Sequence, residues 1–532
     1  MSRFGVFYGV LILTALFGWL GHSQASVYYW PLLILFPLSI LGLWDVVQSH
    51  HSLLVNYPIL GHFRWILEEI RPELRQYFFS SDTEEMPFNR EQRSVVYQRA
   101  KSVEDRTPFG STKDVYEGGY AWLNHSIAPK SMDDSMSRIL IGGPQCKEPY
   151  LSSVLNISAM SFGALSANAI QALNRGAKKG GFAHDTGEGG ISKYHRAEGG
   201  DLIWEIGTGY FGCRQEDGTF SPNMFEEQAK DEQIKMVEVK ISQGAKPGHG
   251  GILPANKVTQ EIAEARRVPI GQDVESPPCH SAFSTPLELI HFIQKLRDLS
   301  GGKPVGFKLC IGHKWEFLAI VKAMLETKIT PDFIVVDGSE GGTGAAPLEF
   351  SDNLGTPLTE GLAFVHNALT GANLRADIRL GASGKVISAF DIVKLVSLGA
   401  DFCNAARAFM FSLGCIQSRT CHTNKCPSGV ATQDKWRQRG LNVKDKGERV
   451  FNYHHNTIHA LNEVLAAAGF NSPSELRHQH FYERDGDGKA QSWADTQIWL
   501  KKGELLEEGC HPSFDKYWNM AEVKSFAPKK RA

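Results

Sequence analysis

Residues 333–344, FIVVDGSEGGTG, join a short apolar run to a glycine-rich loop, and this combination decides the fold prediction. Phenylalanine, isoleucine and valine favour a buried β-strand, and the glycines after it let the backbone come close to a ligand. Similar runs, each ending in glycine or polar residues, recur at 154–159, 181–184, 236–241, 268–272, 305–309, 333–336, 378–381 and 401–404. The sequence therefore contains eight candidate strands.

Helix-type segments lie between most of these runs, at 166–178, 257–266, 286–299, 314–326, 359–369 and 389–398. Strands that alternate with helices form a parallel sheet, and eight such units close into a barrel. We therefore predict an α/β fold, a (β/α)8 TIM barrel. The connection 185–235 is long and predicts a functional insertion. Chemistry is expected on the loops at the carboxyl ends of the strands, with phosphate bound after strands seven and eight.

The amino-acid composition excludes some classes of protein but does not identify the function. The chain has 532 residues, of which 42% are hydrophobic and 21% charged, with a net charge of −2. This balance is ordinary for a globular protein, and the absence of a concentrated basic region argues against nucleic-acid binding. Nine cysteines are too few for a disulfide scaffold. We predict a transmembrane hairpin at 1–50, a lead-in segment at 51–150, the barrel at 151–435 and a helical C-terminal extension and tail at 436–532.

The N-terminal segment contains two apolar runs, at 5–20 and 27–47. Each is close to the roughly 20 residues that cross a bilayer core, and the short connection between them predicts a helical hairpin. Arginines on both sides favour a multi-pass membrane protein with its catalytic domain in the cytoplasm: Arg3, Arg64, Arg71 and Arg75. The alternative is a cleaved signal peptide ending near Ala25, although a signal peptide does not require the second run.

Three cysteines lie close together in GCIQSRTCHTNKCPSG, at Cys415, Cys421 and Cys426. Thiolates bind soft metals, and three on one loop can surround one face of a cluster. A structural zinc site usually has four protein ligands, and the fourth would have to be His422, at an unfavourable spacing. The trio favours a three-iron cluster, or a four-iron cluster with one non-cysteine site. Zinc and unrelated cysteines remain open.

The other candidate site residues follow the predicted strands. Met160 and Ser161 come after the first strand, where small neighbouring residues let a flat ring approach the backbone. The remaining candidates are Glu188 after strand two, Lys240, Gln243 and Lys246 at strand three, Lys308 at strand five, Gly341, Gly342, Thr343 and Gly344 after strand six, Ser383, Gly384 and Lys385 after strand seven, and Arg407 after strand eight. Any one glycine loop is more often a turn than a site. Their convergence on one rim predicts a ligand site.

Several of these stretches resemble the FMN-binding synthase domain of the glutamate synthase family. They are SAMSFGALS, DTGEGG, VKISQGAKPGHGG, ESPPCH, GFKL, GSEGGTGAAP and GCIQSRTCHTNKCPSGVATQD, in order over roughly residues 150–435. The resemblance implies a barrel that carries FMN and a [3Fe-4S] cluster. It also implies the reduction of an imine, formed from 2-oxoglutarate and ammonia, to L-glutamate.

The resemblance also implies roles for individual residues. Cys415, Cys421 and Cys426 would bind the cluster, and Met160, Ser161, Lys308 and the Gly341–Gly344 loop would hold the flavin. Lys308 would lie against its pyrimidine ring and stabilise the reduced anion. Lys246, with Lys240 and Glu188, would bind or protonate the imine.

The sequence departs from the family in ways that bear on function. Large family members begin with a glutamine-hydrolysing domain where this chain has the hairpin, so we expect no glutamine hydrolysis by this chain. We find no nicotinamide-binding fingerprint. Electrons are therefore expected from a partner, such as ferredoxin, a reductase subunit or a membrane carrier. His249 and Ser281 replace a carboxylate and a histidine, and the loop after strand seven is altered to SGKVIS.

These departures leave two alternatives to glutamate formation. One is an oxidoreductase that acts on another carboxylated amine or imine, for example in N-methylglutamate formation. The other is a membrane-associated flavin and iron–sulfur electron-transfer subunit within a larger complex.

Overall fold

The computed structural model describes residues 3–103, 106, 108–133 and 137–529. The chain divides into two compact units, Met1–Glu91 and Gln92–Ala532. The first unit contains the helices Gly5–Ser23, Leu32–Val47, Ser52–Asn56 and Gly61–Leu74, followed by the π-helix Arg75–Phe79.

Two segments of the first unit, Gly5–Ser23 and Ser26–Val47, are long and apolar enough to cross a membrane, by length and composition. The hydroxyl groups of Thr14 and Ser39 join them at 2.8 Å. At the end of the second helix, the buried carboxylate of Asp45 accepts the backbone N–H of Ile59 at 2.9 Å and lies 2.9 Å from His62 Nε2. These contacts fix the start of the segment that follows the hairpin.

The second unit is built around a closed barrel of eight parallel strands, as predicted. In chain order they are β1 Leu155–Ile157, β2 His184–Asp185, β3 Leu202–Ile206, β4 Ile234–Lys240, β5 Val305–Leu309, β6 Phe333–Asp337, β7 Arg379–Ser383 and β8 Phe402–Ala405. Strand β8 pairs with β1 and closes the barrel. All eight carboxyl ends therefore open on one rim.

One of the eight predicted strands is wrong, and one real strand was missed. Residues 268–272 form an exposed turn in which Pro269 lacks a backbone N–H, whereas β3 lies inside the predicted insertion 185–235. Strand β3 contains Glu205, a charged residue that weakens the apolar signal although it is buried. Lys240 consequently ends the fourth strand and not the third. One strand was predicted in excess and one was missed before residue 305, so the predicted and observed strand numbers agree from β5 onward.

Helices cover the outside of the barrel. Their bounds are Ala167–Gly180, Lys193–Arg196, Pro222–Ala229, Gln260–Arg266, Pro286–Leu299, Lys314–Thr327, Leu348–Asn353, Leu358–Gly371, Ala389–Ser397 and Arg407–Leu413. The predicted helix 286–299 has the observed bounds because Thr285 and Glu288 form a capping box and Pro286 occupies the first turn.

Further elements close the barrel and extend it. The hairpin Arg138–Ile141 and Tyr150–Ser153 covers the amino-terminal end of the barrel, where Ile141 joins a buried apolar cluster with Ile203, Met236, Phe333 and Phe402. A short antiparallel pair, Ile252–Leu253 and Val274–Glu275, lies in the connection after β4. The remaining elements are the helices Arg90–Ala100, Lys435–Arg439, Val443–Ala467, Trp493–Thr496 and Pro512–Met520, and a sheet of Ala121–Leu123, Phe481–Arg484 and Ala490–Ser492.

Candidate active site

A buried charge cluster lies inside the barrel, formed by Lys308 and the carboxylates of Asp185, Glu205 and Glu238 from four neighbouring strands. The Lys308 ammonium contacts Glu205, lies 2.9 Å from Glu238 Oε1 and 4.0 Å from Asp185 Oδ2. Burial alone would lower the pKa of Lys308, but the carboxylates hold it well above its usual value. Burial, opposed in part by Lys308, raises the pKa of Glu238 to about 7. The predicted flavin lysine is therefore neutralised from within the barrel.

The three candidate catalytic residues come together above this cluster. Glu188, after β2, places Oε1 3.1 Å from Nζ of Lys240 at the end of β4. Burial disfavours ionisation of Glu188, yet Lys240, Arg266 and Lys246 hold its pKa below the usual value. Burial lowers the pKa of Lys246, and Lys240 adds to this effect. The site thus presents an ionised carboxylate and a lysine that releases its proton more readily than an exposed one.

Glu188 and Lys240 border a small, shallow cleft, which is also lined by Thr208, Gln243 and His249. His249 Nδ1 lies 2.8 Å from the carbonyl oxygen of Gly250. Its ring packs edge-on against Phe350, with the ring centroids 5.3 Å apart. The imidazole is therefore held in the wall of the cleft.

Two buried side chains that the sequence analysis did not select support this cleft. Arg266 Nη2 donates to Ser161 Oγ at 3.3 Å, and burial lowers the pKa of Arg266 to about 10. His280 lies 3.0 Å from the Tyr210 hydroxyl and 2.8 Å from the carbonyl oxygen of Lys240. Burial lowers the pKa of His280 to about 4, so the ring is neutral near pH 7. Only the motif ESPPCH, which ends in His280, pointed to either residue.

The rim loops meet backbone to backbone. A Cβ atom on Gly244 would overlap the carbonyl oxygen of Gly338, so the loops after β4 and β6 meet only because Gly244 has no side chain. The N–H of Gly244 also donates to Asp337 Oδ2 at 2.6 Å. In the same way, a Cβ on Gly187 would lie 2.7 Å from the backbone nitrogen of Ser161, which joins the loops after β1 and β2. The loops after β4 and β6, and those after β1 and β2, are thus in direct backbone contact.

Two cations lie at the ends of β7 and β8. Arg407 Nη2 donates to the carbonyl oxygen of Glu340 at 2.6 Å, and a Cβ on Gly342 would lie 2.7 Å from Arg407 Nε. Burial lowers the pKa of Arg407 to about 10, and burial together with Arg407 lowers the pKa of Lys385. Two neighbouring cations, one of which lowers the pKa of the other, beside a glycine-rich backbone are suited to an anion such as a phosphate group.

Other predicted cofactor residues occupy the same end of the rim. Ser383 Oγ lies 3.4 Å from Ser158 Oγ, and Gly384 has a φ of +156°. Thr343 Oγ1 bonds to the Ala345 carbonyl oxygen at 3.4 Å, and no atom would contact a Cβ on Gly344 within 4 Å. The loop after β6 therefore leaves space for a ligand at its tip.

The cysteine loop is held by backbone contacts. The carbonyl oxygen of Cys415 accepts the Tyr97 hydroxyl at 2.6 Å, and that of Cys421 accepts Lys257 Nζ at 2.7 Å. Gln433 Nε2 donates to the carbonyl oxygens of Gly163 at 3.1 Å and Leu165 at 2.9 Å. The loop therefore lies directly beside the loop after β1, which contains Met160 and Ser161.

The three thiols lie near one another but do not converge on one point. Burial raises the pKa of Cys415 to about 12 and also raises that of Cys421, with further increases from the neighbouring thiols. Burial acts against ionisation of Cys426 as well, but hydrogen bonds from Ser428 and nearby amides lower its pKa. Among the described residues, the cysteine sulfurs do not form a set within 4.8 Å. Three ligands of one zinc ion would lie about 3.8 Å apart, so the loop does not show the compact arrangement of a mononuclear zinc site.

The fold and this rim define a (β/α)8-barrel enzyme. Residues 124–471 match the model of the conserved region in glutamate synthase, and the chain belongs to this family of oxidoreductases. It is 39% identical to the glutamate synthase large subunit-like protein YerD of Bacillus subtilis, over 84% of this chain and 92% of that protein. It is 34% identical to the archaeal-type glutamate synthase [NADPH] of Thermotoga maritima, over 63% of this chain and 62% of that enzyme.

Two further comparisons extend this picture. The archaeal glutamate synthase [NADPH] of Methanocaldococcus jannaschii is 35% identical over 62% of this chain and 61% of its own length. The chain thus spans somewhat under two thirds of the archaeal-type enzymes. A solved structure of mandelate oxidase aligns over 75% of this chain and 98% of its own, with 14% identity and a TM-score of 0.42.

Proposed function

We propose that this chain is a membrane-anchored glutamate synthase that binds FMN and a [3Fe-4S] cluster and reduces the imine of 2-oxoglutarate to L-glutamate. The observation that carries the proposal is the common rim. It brings the cleft with Glu188, Lys240 and Lys246, the cation pair after β7 and β8, and the cysteine loop onto neighbouring loops.

The donor groups present fit both cofactors. The phosphate of FMN would be held by Lys385, Arg407, Ser383, Gly384 and the loop Gly341–Gly344. Its ring would be contacted from the loops after β1 and β4 and from β5, by Met160, Ser161, Gln243 and Lys308. Cys415, Cys421 and Cys426 would hold the cluster. When bound, FMN supplies a hydride equivalent and the cluster passes single electrons to it.

Side chains of this protein would bind the substrate and donate one proton to its nitrogen. Lys240 and Lys246 provide positive charge for the two carboxylates of 2-oxoglutarate. The ionised Glu188 favours a cationic nitrogen beside them. Condensation with ammonia releases water, and reduction of the resulting carbon–nitrogen bond leaves the nitrogen in need of a proton. Lys246 is the better donor, because burial lowers its pKa while the pKa of Glu188 is held below the usual value.

The rest of the proposal concerns the membrane and the electron donor. The two apolar segments would anchor the enzyme, with the barrel on the cytoplasmic side. Electrons would come from ferredoxin or a separate reductase subunit. His249 in the cleft wall replaces a carboxylate that other family members have, so the groups that line the cleft differ from theirs. This difference favours a second candidate substrate, another carboxylated imine.

The test is a reoxidation screen on the full chain in detergent. The flavin is reduced anaerobically with dithionite, and its absorbance is followed after the addition of 2-oxoglutarate, ammonium or both. Reoxidation is expected only with both, with ¹⁵N-glutamate formed from ¹⁵N-ammonium. Reoxidation by other 2-oxoacid and amine pairs would favour the second candidate. Reoxidation only by quinones or partner proteins would contradict the proposal.

A matched pair of lysine variants connects the reaction to the cleft. Lys246→Met should abolish reoxidation by 2-oxoglutarate and ammonium while retaining flavin absorbance. Lys178 is exposed on the helix Ala167–Gly180, and Lys178→Met should leave the rate unchanged. Equal rates in the two variants would remove Lys246 from the catalytic role.

A further inference from the structure

Lys257 is a buried lysine that the proposed reaction does not use. It lies in the short 3-10 turn Ala255–Lys257 and is 4% exposed. Its ammonium donates to carbonyl oxygens of three segments, at 2.7 Å to Cys421, 3.3 Å to Ala431 and 3.5 Å to Ala164. It therefore joins the cysteine loop to the loop after β1.

The positive charge of Lys257 has no carboxylate partner. In the part of the chain that the structure describes, no Asp or Glu oxygen lies within 4.0 Å of its Nζ. Carbonyl oxygens solvate an ammonium but do not neutralise it, and an unpaired buried charge is costly. Burial lowers the pKa of Lys257, and the thiols of Cys421 and Cys426 oppose this effect when they are ionised. An anion at the cysteine loop would therefore account for a lysine at this position.

A neutral contact already joins the same two loops. Gln433, on the chain just after the cysteines, donates its amide to the carbonyl oxygens of Gly163 and Leu165. A connection between the loops therefore needs no charge. What distinguishes Lys257 is its positive charge. On the other side of the loop, the charge of the buried Arg93 acts on the thiol of Cys415.

We propose that Lys257 is a positioning residue whose charge stabilises the reduced form of the iron–sulfur cluster and so raises its reduction potential. The inference rests on the proposed function, because it requires a cluster on Cys415, Cys421 and Cys426. The positive charge of the iron–sulfur core would offset part of the charge of the three thiolates, and one-electron reduction would make the whole site more negative by one charge. A fixed cation in a dry environment favours the more negative state.

The experiment measures the cluster itself. The full chain is purified anaerobically with the variants Lys257→Met, Lys257→Gln and Lys257→Arg, and the cluster is titrated electrochemically while its EPR signal is recorded. Lys257→Met and Lys257→Gln should disfavour reduction about tenfold or more, which corresponds to a potential lower by about 59 mV for one electron. Lys257→Arg should remain within threefold of the wild type. Gln433→Met, which loses a neutral contact, should leave the potential unchanged.

Each outcome decides the role of the charge. Unchanged potentials in Lys257→Gln and Lys257→Met would overturn the proposal. If these two variants lose iron while Lys257→Arg retains it, the charge serves to hold the cluster and not to set its potential, and the proposal fails. If Lys257→Arg loses iron equally, the shape of lysine matters and not its charge, and the proposal fails. Wild-type protein without iron would instead refute the proposed function before any variant is compared.

Discussion

Replacing Arg407 by methionine should weaken FMN binding by roughly 10- to 150-fold. Arg407 begins the helix after β8 and is half-buried beside Gly342 and Lys385, where the phosphate is proposed to bind. Methionine has a similar length but removes the charge and every N–H donor.

The magnitude follows from the donors that Arg407 has to offer. A hydrogen bond to a charged group contributes about 1.5–3 kcal/mol, and each 1.4 kcal/mol changes affinity about tenfold. Arg407 also donates to the carbonyl oxygen of Glu340, so the expected loss corresponds to one hydrogen bond to the phosphate and not to the whole guanidinium. Arg407→Lys keeps the charge but not the planar fork, and should lose about tenfold.

The assay compares two flavins on apoprotein prepared in detergent, using the quenching of flavin fluorescence. FMN carries the phosphate and riboflavin does not, so Arg407→Met should weaken only the binding of FMN. Arg439, which is exposed and stacks on Trp436 at 4.3 Å, provides the matched control as Arg439→Met. Both flavins should bind this control as they bind the wild type.

Two results would refute the reasoning. If Arg407→Met binds FMN within twofold of the wild type, the phosphate is held elsewhere. If riboflavin affinity falls as much as FMN affinity, the substitution has damaged the rim and removed no specific contact.

Three further predictions follow from the rim and the barrel interior. Lys308→Met should lower the unfolding free energy by about 3–5 kcal/mol at pH 8. The loss should be smaller at pH 5.5. Burial raises the pKa of Glu238 to about 7, so without Lys308 this carboxyl lowers stability only when the pH rises through that value and the group ionises. An equal loss in urea titrations at both pH values would contradict this. Glutamate formation should decline as the pH rises through the lowered pKa of Lys246, and Lys246→Arg, if it retains activity, should move that decline to higher pH in initial-rate profiles. Gly250→Ala should lower the melting temperature, because its Cβ would overlap the Ser276 carbonyl oxygen, whereas Gly344→Ala, which meets open space, should not.

The alternation of short apolar runs and helices was sufficient to predict the barrel, but not each strand. The run 268–272 has isoleucine and valine, yet it is exposed and interrupted by Pro269. Strand β3 was missed because Glu205 interrupts its apolar pattern, and its partner Lys308 is distant in sequence. A buried ion pair across strands leaves no local signal, because each charge appears misplaced until the other is found.

The candidate site was easier to predict where glycine and cysteine carry it. The glycine-rich loops and the cysteine trio are visible in the sequence itself, and the contact of Gly244 with the Gly338 carbonyl oxygen shows why glycine is needed there. The binding roles of these loops stay predictions. The supporting cations Arg266 and Lys257 lie on the long connection after β4, and nothing local distinguishes them from solvated residues. Their roles depend on contacts made across the fold.

The lysine–carboxylate cluster inside the barrel has a consequence for how this family can diverge. The cluster contains one residue from each of four consecutive strands: Asp185, Glu205, Glu238 and Lys308. The positive charge of the lysine offsets negative charge on the three carboxylates. Replacing Lys308 by a neutral residue would leave the buried carboxylates without their counter-charge. Such a substitution should therefore be tolerated only when one of the acidic residues is also replaced. We therefore expect related proteins to keep all four residues or to substitute them together, even where the sequences of the rim loops differ.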